Sequence, residues 1–303
     1  MSQPLDKSLA AFYGKFVNAA YAMFKRDPNQ LEPEPQPGDI PAPYEMVAWI
    51  NMSDFFGPFK DTRFYGLIAQ NTQTPHEYIV AIRGTEGREE WWDDATAFLV
   101  PFRQVPQAGR VHEGFDKIYS SMRIIKRLRP AERVAVAPPA RTFIGSFGDQ
   151  LEGLTKGLEA SRKAVHDEKR GRPLRTYVVT GHSLGSALAT LFVMENDEKK
   201  KFDVTTCCTF ASPRVGNKKF CLRFDRLPIT SWRIANSWDV VPKVPLPIPP
   251  PERRQHLHGH DNGDIGQFEP QRDVNRCCAI VRMRGTTRTK LCDLAHIVDF
   301  FRN

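Results

Sequence analysis

The sequence predicts an α/β protein with a mainly parallel central sheet and helices on both of its faces. Beyond residue 114, short runs rich in β-branched and aromatic residues alternate with runs of helical character, a pattern typical of such sheets. A glycine-flanked turn at residues 181–185 connects one of these strands directly to a helix. A chain of 303 residues with 41% hydrophobic and 26% charged residues is also typical of a folded domain, which excludes disordered, collagen-like and coiled-coil proteins.

Periodicity places the individual elements. Apolar residues recur every three or four positions over residues 9–24, which predicts an amphipathic helix with Asp6 as its N-cap. Strands are predicted at residues 46–52, 63–69, 77–82, 178–180, 204–211 and 232–236, and further helices at residues 186–196 and 218–224. Because the chain shows neither internal repeats nor a clear linker, we expect one domain over residues 1–303. Residues 129–148, which contain Pro-Pro and two glycines, are predicted to form an inserted loop.

The net charge of +8 favours anionic partners, either nucleic acid or acidic lipid headgroups. The basic residues are nevertheless dispersed, and acids are interleaved in the two densest stretches, residues 123–133 and 162–175. We interpret these stretches as solvated helix faces. Since the chain has no motif of the known nucleic-acid-binding modules, we expect no nucleic-acid partner.

The cysteines and the N-terminus bear on the cellular compartment. Six cysteines include two adjacent pairs and no C-x-x-C spacing, so we expect buried free thiols in a reducing compartment: Cys207, Cys208, Cys221, Cys277, Cys278 and Cys292. No apolar run approaches the roughly 18–20 residues of a spanning helix, and the N-terminus lacks a basic segment followed by an apolar core. The sequence therefore predicts no transmembrane segment and no secretory signal, which favours a cytoplasmic location.

The strongest chemical signal is the segment Gly181-His182-Ser183-Leu184-Gly185, which has the pattern G-x-S-x-G between a predicted strand and a predicted helix. In that context the serine lies on a sharp turn, and the flanking glycines avoid clashes with the neighbouring strand and helix. The turn lifts the Ser183 hydroxyl clear of the sheet at a helix N-terminus, where developing negative charge is favoured. Ser183 is therefore a candidate nucleophile, and the backbone N–H of Leu184 is a candidate oxyanion donor. We interpret His182 as a packing and hydrogen-bonding residue.

A serine nucleophile requires a base that is itself oriented by a carboxylate. After a nucleophile in this setting the acid precedes the histidine along the chain. Asp239 follows the strand predicted for RIANSW and is the candidate acid. The residues alone leave four candidate bases: His256, His258, His260 and His296. The first three have no spacing that fits a metal motif, so we predict exposed loop histidines there, and neither a metal nor a cofactor.

Four segments in this order, VAIRGT, GHSLGSALATL, TFASPRVGN and RIANSWDVVPKVP, resemble the class-three lipases, the fungal-type triacylglycerol lipase family with an α/β-hydrolase fold. The resemblance runs from about residue 77 to the C-terminus. It departs from the family at Ser186, where the family commonly has another glycine, and in the insertion at residues 129–148.

The resemblance implies a role for each site residue. Ser183 is the nucleophile, Asp239 the orienting acid, and His296 in CDLAHIVDFF the base. Thr85, in the IRGT segment, supplies the second oxyanion donor beside Leu184. The implied activity is serine-dependent hydrolysis of carboxylic esters, most directly that of a lipase acting on acylglycerols, with a lipid or ester substrate and no cofactor. The alternatives are a phospholipase, a short-chain carboxylesterase and a non-catalytic lipid-binding scaffold.

The resemblance also implies a lid, because a short mobile helix covers the site of these lipases directly after the position of Thr85. Here the residues suit that role: Trp91 and Phe98 share one helical face, Trp92 lies beside it, and the rest of the segment is acidic. Such a helix can cover a cleft in water and turn its apolar face toward a lipid–water interface. The alternative is a fixed surface helix whose tryptophans fill the core.

Overall fold

The computed structural model describes residues 4–54, 61–85, 98–134, 140–161, 175–236, 241 and 280–283. Its helices are α1 (Lys7–Arg26), α2 (Glu113–Ser121), α3 (Pro130–Arg133), α4 (Phe147–Ser161), α5 (Leu184–Lys199) and α6 (Lys218–Phe224). Its strands are β1 (Tyr44–Asp54), β2 (Asp61–Asn71), β3 (Glu77–Ile82), β4 (Leu99–Pro101), β5 (Arg110–His112), β6 (Arg123–Lys126), β7 (Thr176–His182), β8 (Asp203–Phe210), β9 (Thr230–Asn236) and β10 (Ile280–Met283).

One eight-stranded sheet organises the described chain, in the order β10-β9-β8-β7-β3-β2-β1-β6. The five strands from β10 to β3 are parallel to one another. From β3 through β2 and β1 to β6, neighbouring strands are antiparallel. β4 and β5 form a separate antiparallel pair. The predicted mainly parallel sheet is therefore confirmed, with an antiparallel extension at one edge.

Helices cover both faces of this sheet, as predicted. In β3 the side chains of Tyr78, Val80 and Ile82 join the apolar cluster that contains α2, α4 and α5. The intervening Ile79 and Ala81 join the cluster built around α1 on the opposite face. This alternation follows from the two-residue period of a strand. In the described part of the chain, no helix is both long enough and apolar enough to cross a bilayer.

The same alternation explains one adjacent pair of cysteines. Cys207 and Cys208 are successive residues of β8, both buried and neither in a disulfide, and they belong to the clusters on opposite faces of the sheet. Burial raises the pKa of the Cys208 thiol, as expected for an inert core residue. Cys221 in α6 is disulfide-bonded, so the expectation of six free thiols is wrong at this position. The argument from free thiols for a reducing compartment is lost with it.

The segment 129–148, expected to be an inserted loop, is partly regular. It begins with the short helix α3, and its described second half returns to the sheet edge, where Lys126 N–H donates to the Arg141 carbonyl over 2.7 Å and Thr142 bridges to Ile125. Residues 135–139 lie outside the described chain. The segment therefore extends the edge beyond β6, and the extent of a single domain over residues 1–303 stays a prediction.

The basic stretch at residues 123–133 is paired with acids rather than free. Arg127 and Arg133 contact Glu34 at 2.8 Å and 3.1 Å. Lys126 departs from the predicted solvated face, since its side chain is only 1% exposed and its ammonium lies 2.9 Å from the Glu132 carboxylate. Burial opposes the ionisation of Glu132, but hydrogen bonds from the Arg129 N–H and from the Lys126 and Arg129 side chains outweigh it. They lower the pKa of this carboxyl to about 2. This ion pair thus joins a buried ammonium to a partly buried carboxylate.

Replacing Glu132 with Gln should lower the free energy of unfolding at pH 7 by about 3 kcal/mol, because a buried ammonium would lose its carboxylate. The folded-state pKa is depressed, so this stabilisation is complete above the model-peptide value of 4.5 and disappears as the pH falls toward 2. Urea unfolding of both proteins between pH 7 and pH 3 measures the difference. The control is Glu34→Gln, whose carboxylate is 48% exposed and should cost less than about 1 kcal/mol. A Glu132→Gln deficit that does not shrink at pH 3 would contradict this assignment.

Candidate active site

Ser183 lies on a sharp turn between β7 and α5. β7 ends at His182 and α5 begins at Leu184, so a single residue reverses the chain direction. Its backbone has φ of 52° and ψ of −122°, and its N–H donates to the Phe210 carbonyl over 2.9 Å. A non-glycine residue in such a conformation costs about 1–3 kcal/mol, and residues of this kind cluster at functional sites. The structure therefore places the predicted nucleophile at the N-terminus of a 16-residue helix, as the motif predicts.

The flanking glycines are required by close backbone contacts. A Cβ atom added to Gly181 would lie 2.5 Å from the Gly185 carbonyl carbon. One added to Gly185 would lie 2.2 Å from the carbonyl oxygen of Ile82, at the end of β3. Both distances are well below van der Waals contact, so α5 can approach β7 and β3 only without side chains here. The predicted reason for these two glycines is confirmed.

Ser186 fits at a position where the resembling family commonly has glycine because its hydroxyl has local partners. Its Oγ lies 2.7 Å from the Gly181 carbonyl oxygen and 2.9 Å from that of Phe210. The side chain is completely buried. A hydroxyl in this place therefore ties the first turn of α5 to the ends of β7 and β8.

The segment Arg83-Gly84-Thr85 lies against this turn. Ile82 pairs with Gly181 in the sheet, which brings the end of β3 beside the end of β7. A Cβ atom added to Gly84 would lie 2.9 Å from the Cβ of Ser183. The loop that carries Thr85 and the turn that carries Leu184 are thus neighbours, as two donors to one oxyanion must be.

Tyr21 of α1 also belongs to this region, although its sequence context indicates only an amphipathic helix. The Gly84 N–H donates to the Tyr21 hydroxyl oxygen over 2.8 Å. The same oxygen lies 2.9 Å from Nδ1 of His182, so the hydroxyl can donate to that nitrogen in turn. His182 is 1% exposed and packs edge-on against the Tyr21 ring, in agreement with its predicted packing role.

Arg83 is a second residue that the motif did not single out. It is 1% exposed, and its guanidinium donates through Nε and Nη2 to the Phe64 carbonyl, over 3.0 Å and 2.6 Å. Nη1 donates to the Gly84 carbonyl over 2.7 Å. The guanidinium carbon lies 3.5 Å from the ring centroid of Phe24 and 4.2 Å from that of Tyr65. A cation is therefore buried one residue from the loop glycine that contacts Ser183.

Several predicted site residues lie outside the described residues: Asp239, His296, the alternative bases His256, His258 and His260, and the lid tryptophans Trp91 and Trp92. Of the lid candidates only Phe98 is described, and its side chain is 65% exposed. The structure thus brings together Ser183, Leu184 and the Thr85 loop. The acid, the base and the lid stay predictions.

Comparison with known proteins identifies the family. Residues 79–248, more than half of the chain, match the family described as lipase (class 3). The chain belongs to the class 3 lipase family. This match spans β3, the Gly84 loop and the Ser183 turn, the elements that form the described site.

Two of the proteins that this chain is similar to come from plants. It is 26% identical to phospholipase A1-Igamma2, chloroplastic, of Arabidopsis thaliana over 285 residues, which is 80% of this chain and 50% of the relative. It is 31% identical to phospholipase A1-II 1 of Oryza sativa subsp. indica over 201 residues, which is 61% of this chain and 45% of the relative. The chain thus spans about half the length of the curated relatives it matches.

Solved structures support the fold. Lipase II from Rhizopus niveus is 18% identical, and the match covers 79% of this chain and 75% of that one with a TM-score of 0.52. A Rhizomucor miehei lipase in a propeptide complex is 17% identical, with coverage of 79% and 63% and a TM-score of 0.52. The α/β-hydrolase fold expected from the sequence is confirmed.

Substituting Ala for Gly185 should lower the free energy of unfolding by about 3 kcal/mol, because the new methyl group would overlap the backbone of β3. The matched control is Gly157→Ala in α4, where an added Cβ meets nothing within 4 Å. That control should stabilise the protein by about 0.5–1 kcal/mol, since Ala is the better helix former. Urea unfolding of the two variants measures both effects. A Gly185→Ala protein as stable as the parent would show that α5 does not pack on β3 this closely.

Proposed function

We propose that the chain is a serine-dependent carboxylic ester hydrolase with Ser183 as its nucleophile. The observation that carries this proposal is the strained backbone of Ser183 at the N-terminus of α5, with the Gly84 loop packed against it. A simple strand-to-helix connection does not require a residue with this strained backbone. Membership of the class 3 lipase family supports the same activity.

The proposed reaction proceeds through an acyl-enzyme. His296 takes the proton of the Ser183 hydroxyl as the oxygen attacks the ester carbonyl carbon, and Asp239 orients the imidazole. The resulting oxyanion accepts hydrogen bonds from the backbone N–H groups of Leu184 and Thr85, each worth about 10²–10³ in kcat. The protonated histidine then gives its proton to the departing alcohol. The same histidine then takes a proton from water as the water attacks the acyl-enzyme, and it gives that proton to the Ser183 oxygen as the bond to the acyl group breaks, which releases the fatty acid.

Two substrate classes follow from different observations. The resemblance of the motifs to the triacylglycerol lipases favours acylglycerols as the substrate. The curated relatives, both named phospholipase A1, favour acyl esters of phospholipids as the second candidate. In either case the proposed lid, with Trp91 and Phe98 on its apolar face and Trp92 beside it, would open at a lipid–water interface.

Ser183→Ala should lower ester hydrolysis by about four to six orders of magnitude and leave the fold intact, because the substitution removes the hydroxyl oxygen that forms the acyl-enzyme. Release of fatty acid from triacylglycerol, phosphatidylcholine and short-chain esters by the parent and the variant tests activity and substrate class together. Thermal unfolding of both proteins checks the fold. A Ser183→Ala variant with activity within tenfold of the parent would overturn the assignment of Ser183 as nucleophile. A parent protein inactive on the whole panel would favour the non-catalytic scaffold.

His296→Ala should match the loss in Ser183→Ala, and the double variant should be no worse, because nucleophile and base act as a unit. Substitutions at His256, His258 and His260 are the matched controls and should each change kcat less than threefold. Steady-state kinetics on one soluble ester distinguishes these outcomes. If one of the three controls is as damaging as Ser183→Ala while His296→Ala is active, the assigned base is wrong.

A further inference from the structure

Gly84 faces two opposing requirements. A side chain at this position is excluded, since its Cβ would lie 2.9 Å from the Cβ of Ser183 and 2.6 Å from the Tyr21 hydroxyl oxygen. Glycine, however, is the residue with the greatest backbone freedom. The peptide that follows Gly84 carries the Thr85 N–H, which must be held in a fixed direction if it is to stabilise an oxyanion. Restraint at Gly84 must therefore come from outside the residue.

Two side chains restrain the two peptide groups of Gly84 separately. The hydroxyl of Tyr21 accepts the Gly84 N–H over 2.8 Å, which fixes the peptide group between Arg83 and Gly84. Nη1 of Arg83 donates to the Gly84 carbonyl over 2.7 Å, which fixes the peptide group between Gly84 and Thr85. A trans peptide is planar, with its C=O and N–H pointing in opposite directions. The direction of the Gly84 carbonyl therefore determines the direction of the Thr85 N–H.

Both restraining groups are themselves rigidly held. The Arg83 guanidinium is held by two hydrogen bonds to the Phe64 carbonyl and lies against the rings of Phe24 and Tyr65. The Tyr21 hydroxyl has Nδ1 of His182, the residue before Ser183, as its second partner. Tyr21 thus ties the Gly84 loop to the turn that carries the nucleophile, and Arg83 ties it to β2, on the other side of β3.

We propose that Arg83 and Tyr21 are positioning residues of the oxyanion site, which fix the two peptide groups of Gly84 and so aim the Thr85 N–H. The inference rests on the proposed function. Arg83 also polarises the Gly84–Thr85 peptide group, because a hydrogen bond from a cation to the carbonyl makes the N–H at the other end a stronger donor. A buried site of low dielectric constant strengthens this effect.

A purely structural role accounts less well for these contacts. Burying a guanidinium is expensive, and apolar residues of similar volume usually fill such a site at least as stably. The Arg83 guanidinium is instead retained at 1% exposure, and one of its N–H groups donates to the Gly84 carbonyl, next to the proposed oxyanion donor. Positioning gives that arrangement a function that core packing does not.

The test uses Tyr21→Phe, which removes one hydroxyl, and Arg83→Lys, which keeps the charge but loses the planar, multiply donating head group. The matched control is Tyr13→Phe in the same helix, whose buried hydroxyl bonds to Thr206 instead. For each protein, kcat and KM are measured on p-nitrophenyl butyrate, together with the Ki of an alkyl boronic acid and the Tm. The boronic acid forms a tetrahedral adduct on the serine, so its affinity reports the oxyanion site.

Tyr21→Phe should lower kcat about tenfold and Arg83→Lys about a hundredfold. KM should change less than twofold, because the misplaced Thr85 N–H stabilises the transition state and not the bound substrate. The Ki of the boronic acid should rise by the same factors. Tyr13→Phe should leave kcat and Ki within twofold, whatever its effect on Tm.

Folded variants with unchanged kcat and Ki, or a loss confined to KM, would overturn the positioning role. If Arg83→Lys does not fold, Tyr21→Phe decides alone. In all these cases Ser183-dependent hydrolysis by the parent would leave the proposed function standing. A parent protein without such hydrolysis would overturn both the proposed function and the positioning role.

Discussion

The backbone contact between the first turn of α5 and the end of β3 constrains the whole region around Ser183. The Ile82 carbonyl oxygen occupies the space that a Cβ of Gly185 would need, so the helix lies directly on the strand. This contact fixes the height of Ser183 above the sheet and brings the Gly84 loop within van der Waals reach of it. The strained φ of Ser183 is tolerated because strand, helix and loop meet there and leave the residue no other conformation.

The N-terminal helix is part of the site rather than an appendage to the sheet. α1 packs on the face opposite α5, and its apolar residues form a cluster with β1, β2, β3, β8 and β9. Through Tyr21 and Phe24 it also contacts the Gly84 loop and the Arg83 guanidinium. A change in the packing of α1 therefore reaches the loop beside the nucleophile through hydrogen bonds, without crossing the sheet. The position of a core helix and the geometry of the oxyanion loop are coupled.

The sequence was sufficient for the features that depend on local pattern. The G-x-S-x-G turn, the helix over residues 9–24 and the strand ending at Ile82 follow from spacing and glycine chemistry, and the structure confirms them. Tyr21 and Arg83 escaped sequence reasoning for a physical reason. Their partners lie on other elements, and one tyrosine on an amphipathic helix or one arginine after a strand carries no local sign of a distant contact. The helices at residues 113–121 and 147–161 were not predicted either, because a short apolar face beside glycine or proline residues gives only a weak local signal.

The hydrogen bond between Tyr21 and His182 joins residues 161 positions apart in the chain. Synthesis on the ribosome proceeds at about 5–20 residues per second, so α1 is made well before β7, which carries the His182 partner of Tyr21. An incomplete chain therefore has the tyrosine without the turn it secures, and a nascent chain cannot possess a finished site. Because of its long sequence separation, this contact joins the Gly84 loop to the Ser183 turn only after every strand of the antiparallel half of the sheet, β3, β2, β1 and β6, has been synthesised.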